Sequence, residues 1–131
     1  MKKILVAVYG SLRQDMGNHR LLENANYLGE FKTEPVFSLY SLGGYPGLKE
    51  NGKTSITMEV YEVTPEQARR VDALEGYNPE SSNNTFYDKI FIDTPYGKAG
   101  TYIYVPNTNR LTLVESGDWR EYRETKKNYV Y

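Results

Sequence analysis

The sequence feature that most constrains the fold is the run ILVAV at residues 4–8, five consecutive apolar residues. Ile and Val favour strands, and a strand without any polar residue must be covered on both of its faces. We therefore expect a central strand of a sheet over this run. The 131 residues of the chain support one hydrophobic core, so the sequence predicts a single domain over residues 1–131.

Further strands and a few short helices are predicted along the chain. Asn18 is expected to begin one short helix, and SGDWREYRE is expected to form a last helical turn. The Gly/Pro-rich segment GGYPGLKENGK is interpreted as a loop. Strands are predicted for YLGEF, VFSLYSL, TSITMEVYEV, FYDKIFIDT, GTYIYV and LTLVE. This order predicts an α+β fold with a small mixed, β-barrel-like sheet and a few short helices.

The clearest helix signal is a capping box. Thr64 is followed by Pro65 at the first helical position and by Gln67 three residues after the cap, a combination that satisfies the free N–H groups of a helix start. Gly76 provides the glycine that commonly follows a helix end. The sequence therefore predicts a helix over residues 65–75.

Glu75 has an unusual position in this helix. It falls in the last turn, where the helix dipole disfavours a negative charge by about 0.3–1 kcal/mol. It also lies within about 40° of the apolar stripe that contains Ala68 and Val71. Desolvation and the dipole together should raise its pKa, as a general base near neutral pH requires. A structural ion pair is the alternative for Glu75, and for Asp72 we favour a structural role.

The composition argues against several kinds of site. The chain has no cysteine, which excludes disulfides, thiolate nucleophiles and thiolate metal sites. Its only histidine, His19, is expected at the surface and lacks the partners of a triad or a metal site. A net charge of −1 provides no broad basic surface for nucleic acid. No run has the length of a signal peptide or a membrane span, so we predict a cytoplasmic protein without a membrane partner and leave its oligomeric state open.

Residues 47–54, GLKENGKT, match the phosphate-binding pattern G-x-x-x-x-G-K-[ST]. That motif requires a helix after it, because the helix N-terminus holds the phosphates. Here the segment after Thr54 alternates like a strand. We therefore interpret the match as a glycine-rich hairpin connection and predict that this loop binds no nucleotide.

The stretch VYGSLR follows the first strand. A glycine at a strand end allows a ligand or another backbone to approach closely. Successive amides of Gly10, Ser11 and Leu12 can form a concavity that suits a carboxylate or a developing oxyanion. A simple turn is the alternative interpretation.

Considered together, VYGSLR and the TPEQARR helix with the VDALEGY that follows it resemble the γ-glutamylcyclotransferase-like (AIG2-like) family, and the small bacterial YtfP-like branch looks closest. The resemblance extends over nearly the whole chain. Further similar segments are LYSLGGYPGLKE, MEVYEVTPEQ, FYDKIFIDTPYGKAGTYIY and ESGDW. It implies a compact barrel-like α+β fold with a defined cleft.

The resemblance also implies the roles of particular residues. In catalytic members of the family the YGSL loop binds the γ-glutamyl group through backbone amides, and a tyrosine enters the strand after the helix. The implied substrate-binding residues are Tyr9, Gly10, Ser11, Leu12 and Tyr87. The catalytic glutamate of the family falls on Glu75, which would act as base and then as acid while a γ-glutamyl substrate cyclises to 5-oxoproline. This chemistry implies a small-molecule substrate and neither a metal nor a cofactor.

The chain departs from the family pattern at three places. Met58 precedes Glu59 where the family usually has glycine, and Lys89 stands where arginine is common. The insertion NPESSNN is expected to reshape the mouth of the pocket. Two alternatives to an enzyme stay open at this point: a non-catalytic protein that sequesters a small metabolite in the same cleft, and an interaction protein that uses its tyrosines.

Overall fold

The computed structural model of the protein describes residues 3–80 and 86–128, with the side chains of residues 126–128 excepted. These ranges contain eight strands, two α-helices and one 3₁₀ helix. In chain order the elements are β1 (Ile4–Val8), the 3₁₀ helix (His19–Leu22), β2 (Asn26–Lys32), β3 (Phe37–Ser41), β4 (Pro46–Glu50), β5 (Thr57–Val63), α1 (Pro65–Leu74), β6 (Tyr87–Thr94), β7 (Gly97–Tyr104), β8 (Thr112–Leu113) and α2 (Trp119–Asn128).

The strands form two sheets. Five of them make a mixed sheet in the order β2-β5-β1-β7-β6, in which β1 runs antiparallel to β5 and parallel to β7. The other three make an antiparallel sheet in the order β4-β3-β8. The predicted α+β class and the central position of the first strand are both confirmed.

Alternate residues of β1 face two apolar cores. Leu5 and Ala7 pack in the core that also contains the buried side chains of β3 and β4. Val6 and Val8 pack in the other core, together with Val71 of α1. Both faces of the strand are therefore covered, which is why ILVAV contains no polar residue. The end of β1 is held rigidly as a consequence.

Helix α1 begins as its capping box predicts. The Thr64 hydroxyl accepts the Gln67 N–H at 3.1 Å, and the Gln67 side chain accepts the Thr64 N–H at 2.9 Å. The helix ends at Leu74, one residue before the predicted end, so Glu75 is the C-cap residue. Gly76 follows with φ of 69°, a left-handed conformation that favours glycine.

The segment predicted as a loop, residues 43–53, contains a strand. Pro46–Glu50 pairs with β3 over its whole length. The prediction was wrong because glycine and proline are depleted in strands, whereas here each has a local reason. Proline is tolerated as the first residue of this edge strand, and a Cβ on Gly47 would lie 2.8 Å from Cβ of Tyr104.

The remaining sequence predictions have mixed outcomes: His19 is less exposed than expected, whereas the strand expected after Thr54 is confirmed. His19 is half-buried, and its Nδ1 lies 3.0 Å from the Leu12 carbonyl oxygen. Thr54 is followed by β5, so the helix that a phosphate-binding loop needs is absent at this place. Part of the predicted polar loop, residues 81–85, lies outside the described residues. Neither described α-helix has the length and apolar character needed to cross a membrane.

Candidate active site

A cavity of about 440 Å³ opens where the end of β1 meets the end of α1, with β4, β6 and β7 forming further walls. The cavity brings together residues that lie far apart in the sequence. Every residue predicted for the site lines it: Tyr9, Gly10, Ser11, Leu12, Glu75 and Tyr87. The loop after β1 and the C-cap of α1 therefore face one common space.

The loop after β1 is held by its carbonyl groups. The Gly10 carbonyl accepts the Arg13 N–H at 3.0 Å, and the Ser11 carbonyl accepts the Asn18 N–H at 2.8 Å. The Ser11 hydroxyl also accepts a hydrogen bond from the Asn18 side chain at 2.9 Å. In the part of the chain that the structure describes, no hydrogen bond uses the amide N–H of Gly10, Ser11 or Leu12. These donors remain available to a ligand.

Gly10 is required by packing against β4. A Cβ at this position would lie 2.8 Å from Cγ and Cδ of Pro46. The close approach that the sequence predicted at this strand end is therefore made by a proline ring on one side of Gly10. A branched side chain at residue 10 would displace Pro46, which itself lines the cavity.

Glu75 contributes a half-buried carboxylate to the cavity. Its backbone N–H donates to the Val71 carbonyl at 3.1 Å, which fixes the residue at the end of the helix. Among residues 3–80 and 86–128, no hydrogen bond or ion pair engages its half-buried carboxylate. Burial raises the pKa of Glu75 from 4.5 to about 7. The carboxylate can therefore both accept and return a proton near neutral pH.

Glu75 is the only charged residue that lines the cavity within the described residues. The same residues contain no cluster of three or more His, Asp and Glu side chains that could hold a metal ion. The electrostatics of the cavity are therefore set by one titratable carboxylate and by the free backbone amides.

Buried tyrosines form the walls around Glu75. The Tyr9 hydroxyl donates to the Tyr102 carbonyl, and the Tyr87 hydroxyl donates to the Pro46 carbonyl, both at 2.7 Å. Burial raises the pKa of Tyr9, Tyr87 and Tyr102 well above the ordinary value, and the charge of Glu75 raises each further. These hydroxyls stay protonated, and those of Tyr9 and Tyr87 each donate a hydrogen bond to a backbone carbonyl. Both side chains act as fixed walls.

Asp72 lies behind the cavity wall. Its Oδ1 accepts the hydroxyl proton of Tyr102 in a short hydrogen bond and lies 3.1 Å from the Lys89 ammonium group. That ammonium group also lies 5.5 Å from the centre of the Tyr102 ring. These contacts support the structural role predicted for Asp72, and they engage Lys89, which stands where the family commonly has arginine.

The sequence analysis missed how Arg13 anchors the loop. Arg13 follows the loop directly and is only 1% exposed. Its Nε donates to Glu59 and its Nη1 donates to Asp118, both at 2.9 Å, and Nη2 lies 3.4 Å from Glu30. One guanidinium group thereby ties the loop to β2, to β5 and to the start of α2.

Glu59 is the centre of this buried cluster. The residue is 1% exposed. Its two carboxylate oxygens accept four hydrogen bonds, from Arg13 Nε, the Gln14 N–H, the Tyr61 hydroxyl and Arg120 Nη2, at 2.9 to 3.0 Å. A buried charge with this many donors is fully compensated.

Comparisons with known proteins agree with this architecture. Residues 6–121 match the family described as "Gamma-glutamyl cyclotransferase, AIG2-like". The family protein YtfP of Escherichia coli is 40% identical over 114 residues, which are 87% of this chain and 94% of that protein. A protein of Niallia circulans named "Gamma-L-glutamyl-butirosin B gamma-glutamyl cyclotransferase" is 32% identical over 120 residues, 88% of this chain and 75% of the relative.

A solved structure shares the fold. The crystal structure of protein PH0828 from Pyrococcus horikoshii matches with a TM-score of 0.79 and 30% identity, over 98% of this chain and 99% of that one. The family match covers most of the chain, and the Escherichia coli relative is similar over 94% of its length. The chain therefore belongs to the γ-glutamyl cyclotransferase, AIG2-like family and is an enzyme of that class.

Proposed function

We propose that the protein cyclises a γ-glutamyl amine or amide and releases 5-oxoproline together with an amine or amino acid. The α-amino nitrogen of the substrate attacks its own γ-carbonyl carbon, so that a lactam C–N bond forms and the original amide C–N bond breaks. The proton that the attacking nitrogen loses ends on the departing amine, and neither water nor a second substrate is consumed.

One observation carries this proposal: Glu75 is a half-buried carboxylate whose pKa of about 7 is raised by burial, and it shares a cavity with unused backbone amides. A group with that pKa takes the proton from the attacking amine and then delivers it to the leaving nitrogen. We assign both steps to Glu75 as the catalytic residue.

The loop after β1 supplies the second component. The N–H groups of Gly10, Ser11 and Leu12 have no acceptor among the described residues, and donors of this kind stabilise a carboxylate or the oxyanion of a tetrahedral intermediate. We assign substrate binding to these amides, with Tyr9 and Tyr87 as walls on either side. The name of the Niallia circulans relative, a γ-glutamyl cyclotransferase for γ-L-glutamyl-butirosin B, supports a γ-glutamyl substrate class.

The test is release of 5-oxoproline from a panel of γ-glutamyl amino acids and γ-glutamyl amines. We expect turnover by the wild type and a loss of roughly 10²–10⁴-fold in kcat for Glu75→Gln, because a general base is removed. Glu66→Gln is the matched control, since Glu66 lies on the same helix with an exposed side chain paired to Arg70. It should retain wild-type kcat.

Two outcomes would overturn the proposal. Release of 5-oxoproline at the same rate by wild type and Glu75→Gln would remove Glu75 from the reaction. Saturable binding of γ-glutamyl compounds by the wild type without any product would favour the sequestering protein as the function of this cleft.

A further inference from the structure

The cavity has a buried floor and an exposed apolar rim. Its floor contains buried tyrosines, whereas three large apolar side chains at its edge are open to solvent: Tyr45 is 51% exposed, Leu74 41% and Phe86 60%. Nine large hydrophobic side chains are exposed in the described part of the chain, so a third of them cluster at this one opening. We call these three residues the rim patch. Apolar patches of this kind on a cavity edge mark ligand contacts.

The polar groups of the cavity are the amides of the loop after β1 and the half-buried carboxylate of Glu75, whereas the side chains of the rim patch, including that of the adjacent Leu74, are exposed. A γ-glutamyl group carries an amine and a carboxylate, which need those polar partners. The substituent on the γ-nitrogen varies in size and has to leave as product. It therefore fits the open end, where Tyr45, Leu74 and Phe86 are exposed.

The charges around the cavity disfavour a negatively charged substituent on the γ-nitrogen. No lysine or arginine lines the cavity among the described residues. Two lysines on strands that wall the cavity are engaged elsewhere: Lys49 of β4 donates to the Val105 carbonyl at 3.0 Å, and Lys89 of β6 pairs with Asp72. A carboxylate on the leaving group would find no cation here and would meet the negative charge of Glu75.

We propose that the rim patch binds the leaving group and selects γ-glutamyl amides of uncharged, apolar or aromatic amines over γ-glutamyl α-amino acids. This inference rests on the proposed function, because it assigns the part of the substrate that departs. It names the aromatic rings of Tyr45 and Phe86 and the side chain of Leu74 as the specificity-determining contacts.

Two matched pairs of substrates measure separately the effect of a leaving-group carboxylate and the effect of an aromatic ring. γ-Glutamyl-tyramine and γ-glutamyl-tyrosine differ only in the carboxylate of the leaving group. γ-Glutamyl-phenethylamine and γ-glutamyl-ethylamine differ only in the aromatic ring. We expect kcat/KM to be at least about tenfold higher for the first member of each pair, as small apolar or charge differences in a pocket commonly give.

Variants of the rim patch test the residues themselves. Phe86→Ser and Tyr45→Ser should each reduce the phenethylamine-to-ethylamine ratio of kcat/KM to less than about threefold, because each removes an aromatic contact. Phe91→Ser is the matched control: Phe91 is 65% exposed on β6 but does not line the cavity. It should keep the wild-type ratio.

Failure of this inference and failure of the proposed function give different results. If every substrate yields 5-oxoproline with equal kcat/KM, the inference is overturned and the proposed function stands. If no substrate yields 5-oxoproline, the proposed function fails, and calorimetric Kd values for the same two pairs decide the role of the rim patch. Equal Kd values within each pair overturn the inference, whereas the tenfold preference supports it.

Discussion

Two glutamates of this protein have been removed from bulk water in opposite ways. Glu59 lies on β5 and accepts four hydrogen bonds, two of them from arginines. Glu75 lies at the end of α1 in a cavity lined by apolar side chains, and no described group bonds to its carboxylate. Glu59 is fully buried among its donors, whereas Glu75 is half-buried with no donor among the described residues.

The difference shows which buried acid supports the fold and which one is suited to chemistry. A carboxylate that accepts four hydrogen bonds is held in place by them and joins the elements that supply the donors. A carboxylate that is buried without donors keeps a pKa near neutral pH and can exchange its proton. Glu59 positions the loop after β1, and Glu75 faces the space that the loop encloses.

The strongest way to break this comparison is Glu59→Gln. We expect it to lower the free energy of unfolding by roughly 3–5 kcal/mol, because Arg13 and Arg120 would lose their buried counter-charge. Urea unfolding measures the loss. Glu62→Gln on the same strand is the control, since its carboxylate makes an exposed contact with Asn26. A loss no larger than that of the control would mean that Glu59 has no structural role.

Whereas the carboxylate of Glu59 is expected to stabilise the fold, the ionised carboxylate of Glu75 is expected to destabilise it, and the pH dependence of stability tests this. Its folded-state pKa of about 7 lies above the unfolded value of 4.5, so the native state holds a proton that the unfolded state releases between these pH values. Stability should therefore fall as the pH rises from 4.5 to 7, by about 3 kcal/mol from this residue. Glu75→Gln lacks this titration.

The measurement is the difference in unfolding free energy between Glu75→Gln and the wild type, at several pH values from 4 to 8. As the pH rises, the free energy of unfolding of Glu75→Gln should increase relative to that of the wild type. A constant difference over this range would show that the pKa of Glu75 is not raised in the folded protein.

The pH profile of turnover sharpens the same point. If Glu75 must be ionised to accept the proton, kcat/KM should fall tenfold per pH unit below about 7. Because the carboxylate is half ionised at pH 7, the decrease from pH 7 to pH 5 should reach about fiftyfold, or about 2.3 kcal/mol. Steady-state kinetics with a γ-glutamyl amine would show it. If kcat/KM instead decreases only below about pH 4.5, Glu75 is an ordinary, solvated glutamate.

The smallest expected effect concerns the N-cap of α1, the helix that has Glu75 as its C-cap residue. Thr64→Ala should reduce the free energy of unfolding by about 1 kcal/mol, because the Gln67 N–H loses its cap. Turnover should stay within about twofold of wild type, since Thr64 does not line the cavity. Thr64→Ser keeps the hydroxyl and should match the wild type in both measurements. Equal stability of the alanine and serine variants would contradict the role of the cap.

The parts of the fold that local sequence encodes were predictable. The central strand follows from an uninterrupted apolar run, and α1 follows from its capping box and terminal glycine. The inward position of Glu75 follows from its register on the helix. These features depend on residues within one or two turns of each other, so a single sequence contains the necessary information.

Features that depend on distant partners were not predictable in the same way. The sequence of the strand Pro46–Glu50 resembles that of a loop because it contains a proline and a glycine. The glycine is required because Tyr104, more than fifty residues later, packs against it. The buried pair of Arg13 and Glu59 is completed by Asp118. A glutamate between Met58 and Val60 was the one available signal, since polar residues enclosed by apolar neighbours need a partner.

The cluster around Arg13 also sets an order of events during synthesis. Arg13 is synthesised 105 residues before Asp118, whereas its other partners, Glu30 and Glu59, emerge earlier. A nascent chain therefore has only part of this cluster until Asp118 has been made, and contacts of such long range form slowly. The loop that lines the cavity is fully anchored only when the start of α2 has docked, so chains that end before Asp118 are expected to bind the substrate more weakly.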